Sequence, residues 1–251
     1  MSSSKPIVLV TGGSRGIGAA IALLAAARGY DVAVNFASDS AAAETVVAQC
    51  REAGANALAC QGDMSVEADV LRVFDQAATL GLLTHVVNNA GITGRSSRLE
   101  AASLETIRTC VDVNVTGAIL VAREAARRLS TRNGGPGGAL VNISSVAAGL
   151  GSPEEYVWYA ASKGAIDSLT IGLSKELARD GIRVNAVSPG MVDTDIHALS
   201  TGDPGRVERI TPLIPLQRVG RANEIANAVL FLLSEEASYI TGANLKVSGG
   251  R

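Results

Sequence analysis

Thr11-Gly12-Gly13-Ser14-Arg15-Gly16-Ile17-Gly18 decides how the chain is read. The apolar run Ile7-Val8-Leu9-Val10 precedes it, and an Ala-rich stretch from Ala19 to Ala27 follows. Strand, glycine turn and helix start therefore stand in line. Glycines let the backbone take positive φ and come close to a bulky group. The unpaired N–H groups and the positive end of the helix dipole then face an anion. A dinucleotide pyrophosphate suits such a turn, and a tight turn without a ligand is the plain alternative. The spacing is Gly-x3-Gly-x-Gly rather than G-x-G-x-x-G. No Lys-Ser/Thr pair follows it, which argues against a nucleoside triphosphate loop.

Outward from this turn, strands and helices alternate. Asp31 to Phe36 forms a second strand, Ser40 to Ala53 a helix closed by Gly54, and Ala57 to Cys60 a third strand. A helix to about Leu80 and a strand at His85 to Val87 follow. Two helical stretches occupy roughly 103 to 132, before a strand at Ala139 to Ile143. A long helix spans Tyr156 to Arg179, and Ile182 to Val187 is the sixth strand. After a loop-rich segment from 189 to 221 come a helix near 222 to 234 and a last strand, Leu245 to Val247. The strands are continuous apolar runs, the mark of a parallel sheet covered on both faces. The expected fold is α/β: one domain over residues 1–251, a doubly wound seven-stranded parallel sheet of Rossmann type. Glycines 134, 135, 137 and 138 read as a surface turn.

Composition narrows the function classes. The chain has 251 residues, 47% hydrophobic and 18% charged, which fits a folded domain and argues against disorder. A net charge of -2 gives no pull toward nucleic acid or an anionic membrane. No apolar run approaches the ~20 residues a spanning helix needs, and no signal-peptide core precedes the first strand. Cys50, Cys60 and Cys110 are isolated and odd in number, so they read as fillers rather than a disulfide framework. Two histidines, His85 and His197, give no metal-ligand spacing. The expectation is a cytoplasmic protein with no metal, no nucleic-acid partner and no membrane partner.

In a doubly wound sheet, ligands sit beyond the carboxyl ends of the strands. That rule gathers residues 35–38, Asp63, residues 88–92, Ser144, Ser145 and residues 188–194 along one edge. Tyr159 and Lys163 stand four apart on the long helix and share a face. An ammonium beside a phenol lowers its pKa, and a phenol so tuned serves as general acid or base. An amphipathic pair with a snorkelling lysine is the alternative. Ser145 ends the fifth strand, within reach of the same substrate oxygen, or else caps a turn. Asn114 lies between Val113 and Val115 in a helix, a place that Asn's propensity does not favour. A buried amide at a kink would also explain it.

These residues resemble the classical short-chain dehydrogenase/reductase family. Thr11-Gly12-x-x-x-Gly16-x-Gly18 is similar to its cofactor loop, and Asn88-Asn89-Ala90-Gly91 to its strand-four motif. Asn114, Ser145, Tyr159 and Lys163 resemble its catalytic tetrad, and Pro189-Gly190 its motif after strand six. The resemblance implies that Tyr159 exchanges a proton with a carbonyl or alcohol as hydride moves at nicotinamide. It implies that Lys163 lowers the Tyr159 pKa and holds the ribose, and that Ser145, with Ser144 as rival, orients the substrate. Asn114 would hold a water through its backbone carbonyl. Asp63 and Met64 would meet the adenine, Asn89, Ala90 and Gly91 the adenosine side, and Val192 and Thr194 the carboxamide. The C-terminal run resembles 3-oxoacyl carrier-protein reductases, and the segment from Glu155 to Pro189 glucose or ribitol dehydrogenases. A non-catalytic dinucleotide sensor, or a lyase or epimerase, on the same fold is the rival reading.

An acid at the end of strand two would bind the ribose 2′-OH and repel a 2′-phosphate. Here Asn35-Phe36-Ala37-Ser38 occupies that place, and Arg15 stands in the glycine loop. The expectation is NADP(H) preferred, NAD(H) possible. Ser14, Ile17, Asn35 and Ser38 complete the expected cofactor contacts. The stretch from about 191 to 219 reads as a substrate lid over a partly apolar pocket for a small carbonyl or alcohol. Trp158 is expected to wall that pocket or to meet a second subunit. The long helix is apolar over more than one stripe, and the resemblance implies a homotetramer. Val247-Ser248-Gly249-Gly250 departs from the family pattern, which usually has Asp at its second position.

Overall fold

The computed structural model describes residues 5–193 and 205–251. Its centre is a seven-stranded parallel sheet. The strands are β1 (Ile7–Val10), β2 (Asp31–Phe36), β3 (Ala57–Gln61), β4 (Leu83–Asn88), β5 (Gly138–Ile143), β6 (Ile182–Pro189) and β9 (Asn244–Val247), in the order β3-β2-β1-β4-β5-β6-β9. A two-stranded parallel pair joins β7 (Val192–Asp193) to β8 (Gly220–Arg221). The helices are α1 (Gly16–Ala27), α2 (Ser40–Glu52), α3 (Glu67–Ala77), α4 (Leu104–Val111), α5 (Ala118–Leu129), α6 (Ala147–Leu150), α7 (Val157–Glu176), α8 (Arg206–Ile210) and α9 (Ala222–Leu233).

Both faces of the sheet are covered, as its unbroken apolar strands require. Val8, Val10, Val32 and Val34 pack under α1 and α9. Ile7, Leu9 and Ala33 point the other way, among Val73 and Phe74 of α3 and Val121 of α5. Ile21 of α1 is fully buried, a contribution of roughly 1.5–3 kcal/mol. Side chains cap several helix starts. The Asp39 carboxylate accepts from Ala42 N at 3.0 Å, and Ser103 Oγ accepts from Thr106 N at 3.0 Å. All three cysteines are free and buried.

Two local features differ from the sequence reading. The two helical stretches after β4 form one rod, α4 and α5, joined by a π-helical turn at Asp112–Gly117. A Cβ on Gly117 would lie 2.7 Å from Met64 O, so close packing against the β3–α3 connection coincides with the turn. The glycines around 134–138 are more than a surface turn. A Cβ on Gly138 would stand 1.8 Å from Thr84 O. Gly138, at φ +134, lets β5 enter the sheet directly against the neighbouring strand.

Candidate active site

Strand order reverses between β1 and β4, and a crevice opens there at the carboxyl ends of the strands. It widens into a cavity of about 1180 Å³. The glycine loop, the ends of β2, β4, β5 and β6, the face of α7 and the segment around α8 line it.

At one end the cavity is made mostly of backbone. Arg15, the residue before α1, makes no side-chain cap, and no acid stands in the first turn. The first-turn N–H groups thus have neither a side-chain cap nor an acidic neighbour to compete with an anion. Gly12 has φ +61, and a Cβ there would lie 3.1 Å from Ala90 Cα. A Cβ on Gly18 would lie 2.3 Å from Gly12 O. Loop, helix and the turn after β4 meet with no room for side chains. Gly12, Ser14, Arg15, Gly16, Ile17 and Gly18 all line the cavity, with Asp63, Met64, Asn89, Ala90 and Gly91 beside them. This cradle, with an uncapped helix start aimed into it, fits a dinucleotide.

The polar side chains at this end mostly hold the loop in shape. Asn35 is buried, and its Oδ1 accepts from Gly12 N at 3.1 Å. Its Nδ2 donates to Gly62 O at 2.9 Å and Cys60 O at 3.2 Å. Its amide is engaged with backbone, while the residue also lines the cavity where the sequence expects a cofactor contact. Asn89 Nδ2 donates to Thr11 O at 2.8 Å and Gly12 O at 3.1 Å. Thr11 Oγ1 accepts from both Asn89 N and Ala90 N at 2.9 Å, a clamp that motif reading did not single out. Asp63 Oδ1 closes a turn by accepting from Ser65 N and Oγ. The wall passes through Asn35, Phe36 and Ala37 and does not include Ser38.

At the other end side chains take over. Tyr159 and Lys163 project from α7 into the cavity, and Ser145 reaches it from the end of β5. The Ser145 hydroxyl accepts from Ala147 N at 3.1 Å and lines the cavity together with the Tyr159 phenol. Ser144 is occupied elsewhere: its Oγ donates to Asp167 Oδ1 at 2.5 Å, with Lys163 O 3.2 Å away. Asn114 lies in the π-helical turn, with its side-chain amide bracing the site. Nδ2 donates to Ile92 O at 2.8 Å and Ser162 Oγ at 3.0 Å, while Oδ1 accepts from Ile92 N at 2.8 Å. Pro189, Gly190 and Val192 also line the cavity. Thr194 and His197 lie outside the described residues.

The electrostatics differ from the tuned pair that the spacing suggests. Lys163 is buried, and its Nζ donates to Ile143 O at 2.8 Å while lying 5.7 Å from the Tyr159 ring centre. Burial pushes the Tyr159 phenol up to about 12, against the opposing hydrogen bond from Ser145. Burial also brings Lys163 down to about 8. Desolvation outweighs any effect of the neighbouring ammonium, because both groups lose water together. Trp158 is likewise placed differently from expectation. It is buried beside Cys110, donates from Nε1 to Thr93 O at 2.8 Å, and lies outside the cavity wall.

Sequence reading missed a cluster beside Tyr159. Arg206 is 5% exposed and forks onto Glu155, with Nε to Oε1 and Nη2 to Oε2 both at 2.8 Å. Its Nη2 also bonds the Tyr156 hydroxyl. A lone arginine in a proline-containing loop gives no signal of burial in the sequence.

A doubly wound sheet with a dinucleotide cradle and a Ser-Tyr-Lys group in one cavity defines a dinucleotide-dependent oxidoreductase class. Comparison with known proteins agrees. The family model described as Enoyl-(Acyl carrier protein) reductase matches residues 12–251. The chain is 51% identical over 248 residues to "Uncharacterized oxidoreductase YgfF" of Escherichia coli (strain K12), covering 98% of this chain and 99% of that protein. Among solved structures it is similar to a short chain dehydrogenase from Burkholderia cenocepacia J2315 in complex with NADP. The TM-score is 0.89 at 36% identity, covering 98% of this chain and 97% of the other. It is also similar to a 3-ketoacyl-(acyl-carrier-protein) reductase from Brucella melitensis complexed with NADH, with a TM-score of 0.90 at 33% identity and 98% of each chain covered. The chain belongs to the short-chain dehydrogenase/reductase family and is an NAD(P)-dependent oxidoreductase. Among the described residues no helix is long and apolar enough to cross a membrane, and no group of three His, Cys, Asp or Glu could hold a metal ion.

Proposed function

We propose that the chain interconverts a small carbonyl compound and a secondary alcohol, with Tyr159 as general acid/base and NADP(H) as the preferred cofactor. One observation supports this most: Ser145, Tyr159 and Lys163 line one cavity with the glycine cradle. The dinucleotide, when bound, supplies or accepts the hydride. Tyr159, raised by burial, keeps its proton at neutral pH and so stands ready to give it to a carbonyl oxygen. Ser145 orients that oxygen by a second hydrogen bond. Lys163 steadies the phenolate left behind, and Asn114 fixes the segment at Ile92 against α7. Leu150, with Met191, Ile210 and Leu213 from the stretch read as a lid, gives the substrate region a partly apolar wall; residues 194–204 of that stretch lie outside the described residues. Tyr159→Phe tests this reading. Turnover of NADPH with a panel of ketones, sugars and β-keto thioesters should fall about 10²–10⁴-fold while NADPH still binds. Undiminished turnover would remove Tyr159 from the role.

The cofactor preference rests on what stands near the expected 2′-position. Phe36 and Ala37 line the cavity, and Asp39, the first acid after β2, is engaged in capping α2. Arg15 is exposed at the cavity wall, placed to meet a 2′-phosphate. kcat/KM should favour NADPH over NADH, and Arg15→Ala should narrow the ratio about tenfold, the weight of one charge-assisted hydrogen bond. An unchanged ratio would refute the role of Arg15. A cytoplasmic homotetramer completes the proposal. It is supported by exposed Leu104, Val111, Ile119 and Ile171 on the α4–α5 rod and α7, and by free buried thiols.

A further inference from the structure

Arg206 is a buried cation that the proton-transfer roles above do not use. It begins α8, and three walls of the cavity meet at its guanidinium. From the segment before α7 comes Glu155, held by the two-pronged ion pair at 2.8 Å. Next to it, at the start of α7, comes Tyr156, whose hydroxyl accepts from Nη2 and whose ring lies under the guanidinium at 5.5 Å. From the β6 end comes Met191, with Sδ 3.4 Å from Nη1. Glu155 extends the connection to a fourth segment, since its backbone carbonyl accepts from Ser97 N at 2.8 Å. The Tyr156 ring then meets the Tyr159 ring edge-on, centres 5.4 Å apart. One side chain thus ties the α8 segment to the wall and places a positive charge one ring away from the reactive phenol.

We propose that Arg206 is a positioning residue for Tyr159, acting through charge as well as through the tie. This rests on the reading of Tyr159 as the acid/base. Among the described residues, the groups that face Tyr159 are the Ser145 hydroxyl beyond β5, Cys110 from α4, Lys163 on α7, Tyr156 just before α7, and Arg206 from α8 with Glu155 behind it. Among them Arg206 lowers the phenol pKa, against the burial that raises it. Arg206 is nearly without water, so solvent screens its field little, and the paired Glu155 carboxylate offsets part of it.

A tie without an electrostatic role predicts a different outcome from a charge. Cutting a tie lets water reach Tyr159, which relieves desolvation and moves the phenol down. Removing the cation moves it up. The onset of Tyr159 ionisation is followed by NMR of protein carrying 13Cζ-labelled tyrosine, without cofactor, between pH 9 and 12, with Tyr159→Phe assigning the signal and the fraction ionised at each pH giving the shift. Arg206→Met should raise the Tyr159 titration by about 0.5–1 unit, and Glu155→Gln should lower it by less. Arg206→Lys, which keeps the charge and loses the fork, should leave it near the wild-type value. Downward shifts in Arg206→Met and Arg206→Lys, or no shift in Arg206→Met, would overturn the proposal. Should Arg206→Met fail to fold, Arg206→Gln, which also removes the charge, takes its place and is read by the same outcomes. The spectrum reports the phenol whether or not a carbonyl substrate turns over, so failure of the proposed reaction and failure of this inference are separate results.

Discussion

The two ends of the cavity are built from different materials. At the nucleotide end the walls are backbone, brought close by Gly12 and Gly18, and buried amides such as Asn35 and Asn89 serve to hold that backbone still. At the substrate end the walls are charged and aromatic side chains: Lys163, Tyr156 and Arg206, held out of water, and Glu155, half-buried. In the proposed reading the first design recognises a constant part of a ligand by shape and backbone dipoles, and the second confers reactivity and carries the desolvation of its groups as a cost to folding.

Substitution at Gly18 breaks the first design most directly. A methyl group there would overlap Gly12 O at 2.3 Å and Asn89 Nδ2 at 2.6 Å, and the nearer partner is backbone. Gly18→Ala should abolish measurable NADPH binding by fluorescence titration and destabilise the fold by about 1–3 kcal/mol, the usual cost of overpacking. Retained affinity would show that the loop gives way freely and that close approach is not what shapes the cradle.

The same division explains what was legible in the sequence. The sheet was legible because buried parallel strands are continuous apolar runs, and Ile7–Val10 is buried throughout. The cradle was legible because glycine at tight spacing has few other uses. Tyr159 and Lys163 were legible as a helical pair, yet their charge state was not, since it depends on burial set by distant residues. Arg206 and Trp158 were placed wrongly or passed over for the same reason. Nothing local tells a buried arginine from a solvated one, or which way an indole turns. The π-helical turn at Asp112–Gly117 was hidden too, because it coincides with contact against Met64 across the fold.

Lys163 tests the second design with an effect of intermediate size. Its folded pKa is lowered from 10.5 to about 8, so the unfolded chain binds more protons between those values. Stability contributed by this group therefore rises as pH climbs from about 8 toward 10.5, and below 8 the buried charge is a full cost. Lys163→Met should flatten that rise and stabilise the protein near neutral pH by about 1–2 kcal/mol, while turnover is lost. Denaturant melts at pH 7 and pH 9.5 measure it. A variant less stable at pH 7, with the pH slope intact, would mean that the bond to Ile143 O outweighs the burial of the charge.

Gly172, in α7, is the counterpart to Gly18 and has the smallest expected effect. A Cβ built there meets nothing within 4 Å, and the residue is exposed. Here glycine has no steric reason, and its flexibility only costs helix stability. Gly172→Ala should stabilise the protein by about 0.5–1 kcal/mol, seen as a small rise in Tm. The same single methyl group thus has opposite signs in the cradle and on the helix, because one glycine touches backbone and the other touches solvent. Ile171, half exposed beside it, makes the measurement informative in the other direction as well. A fall in Tm would mean that this face of α7 is covered by a second copy in solution, and light scattering of Gly172→Ala at falling concentration would then show the assembly coming apart before the wild type does.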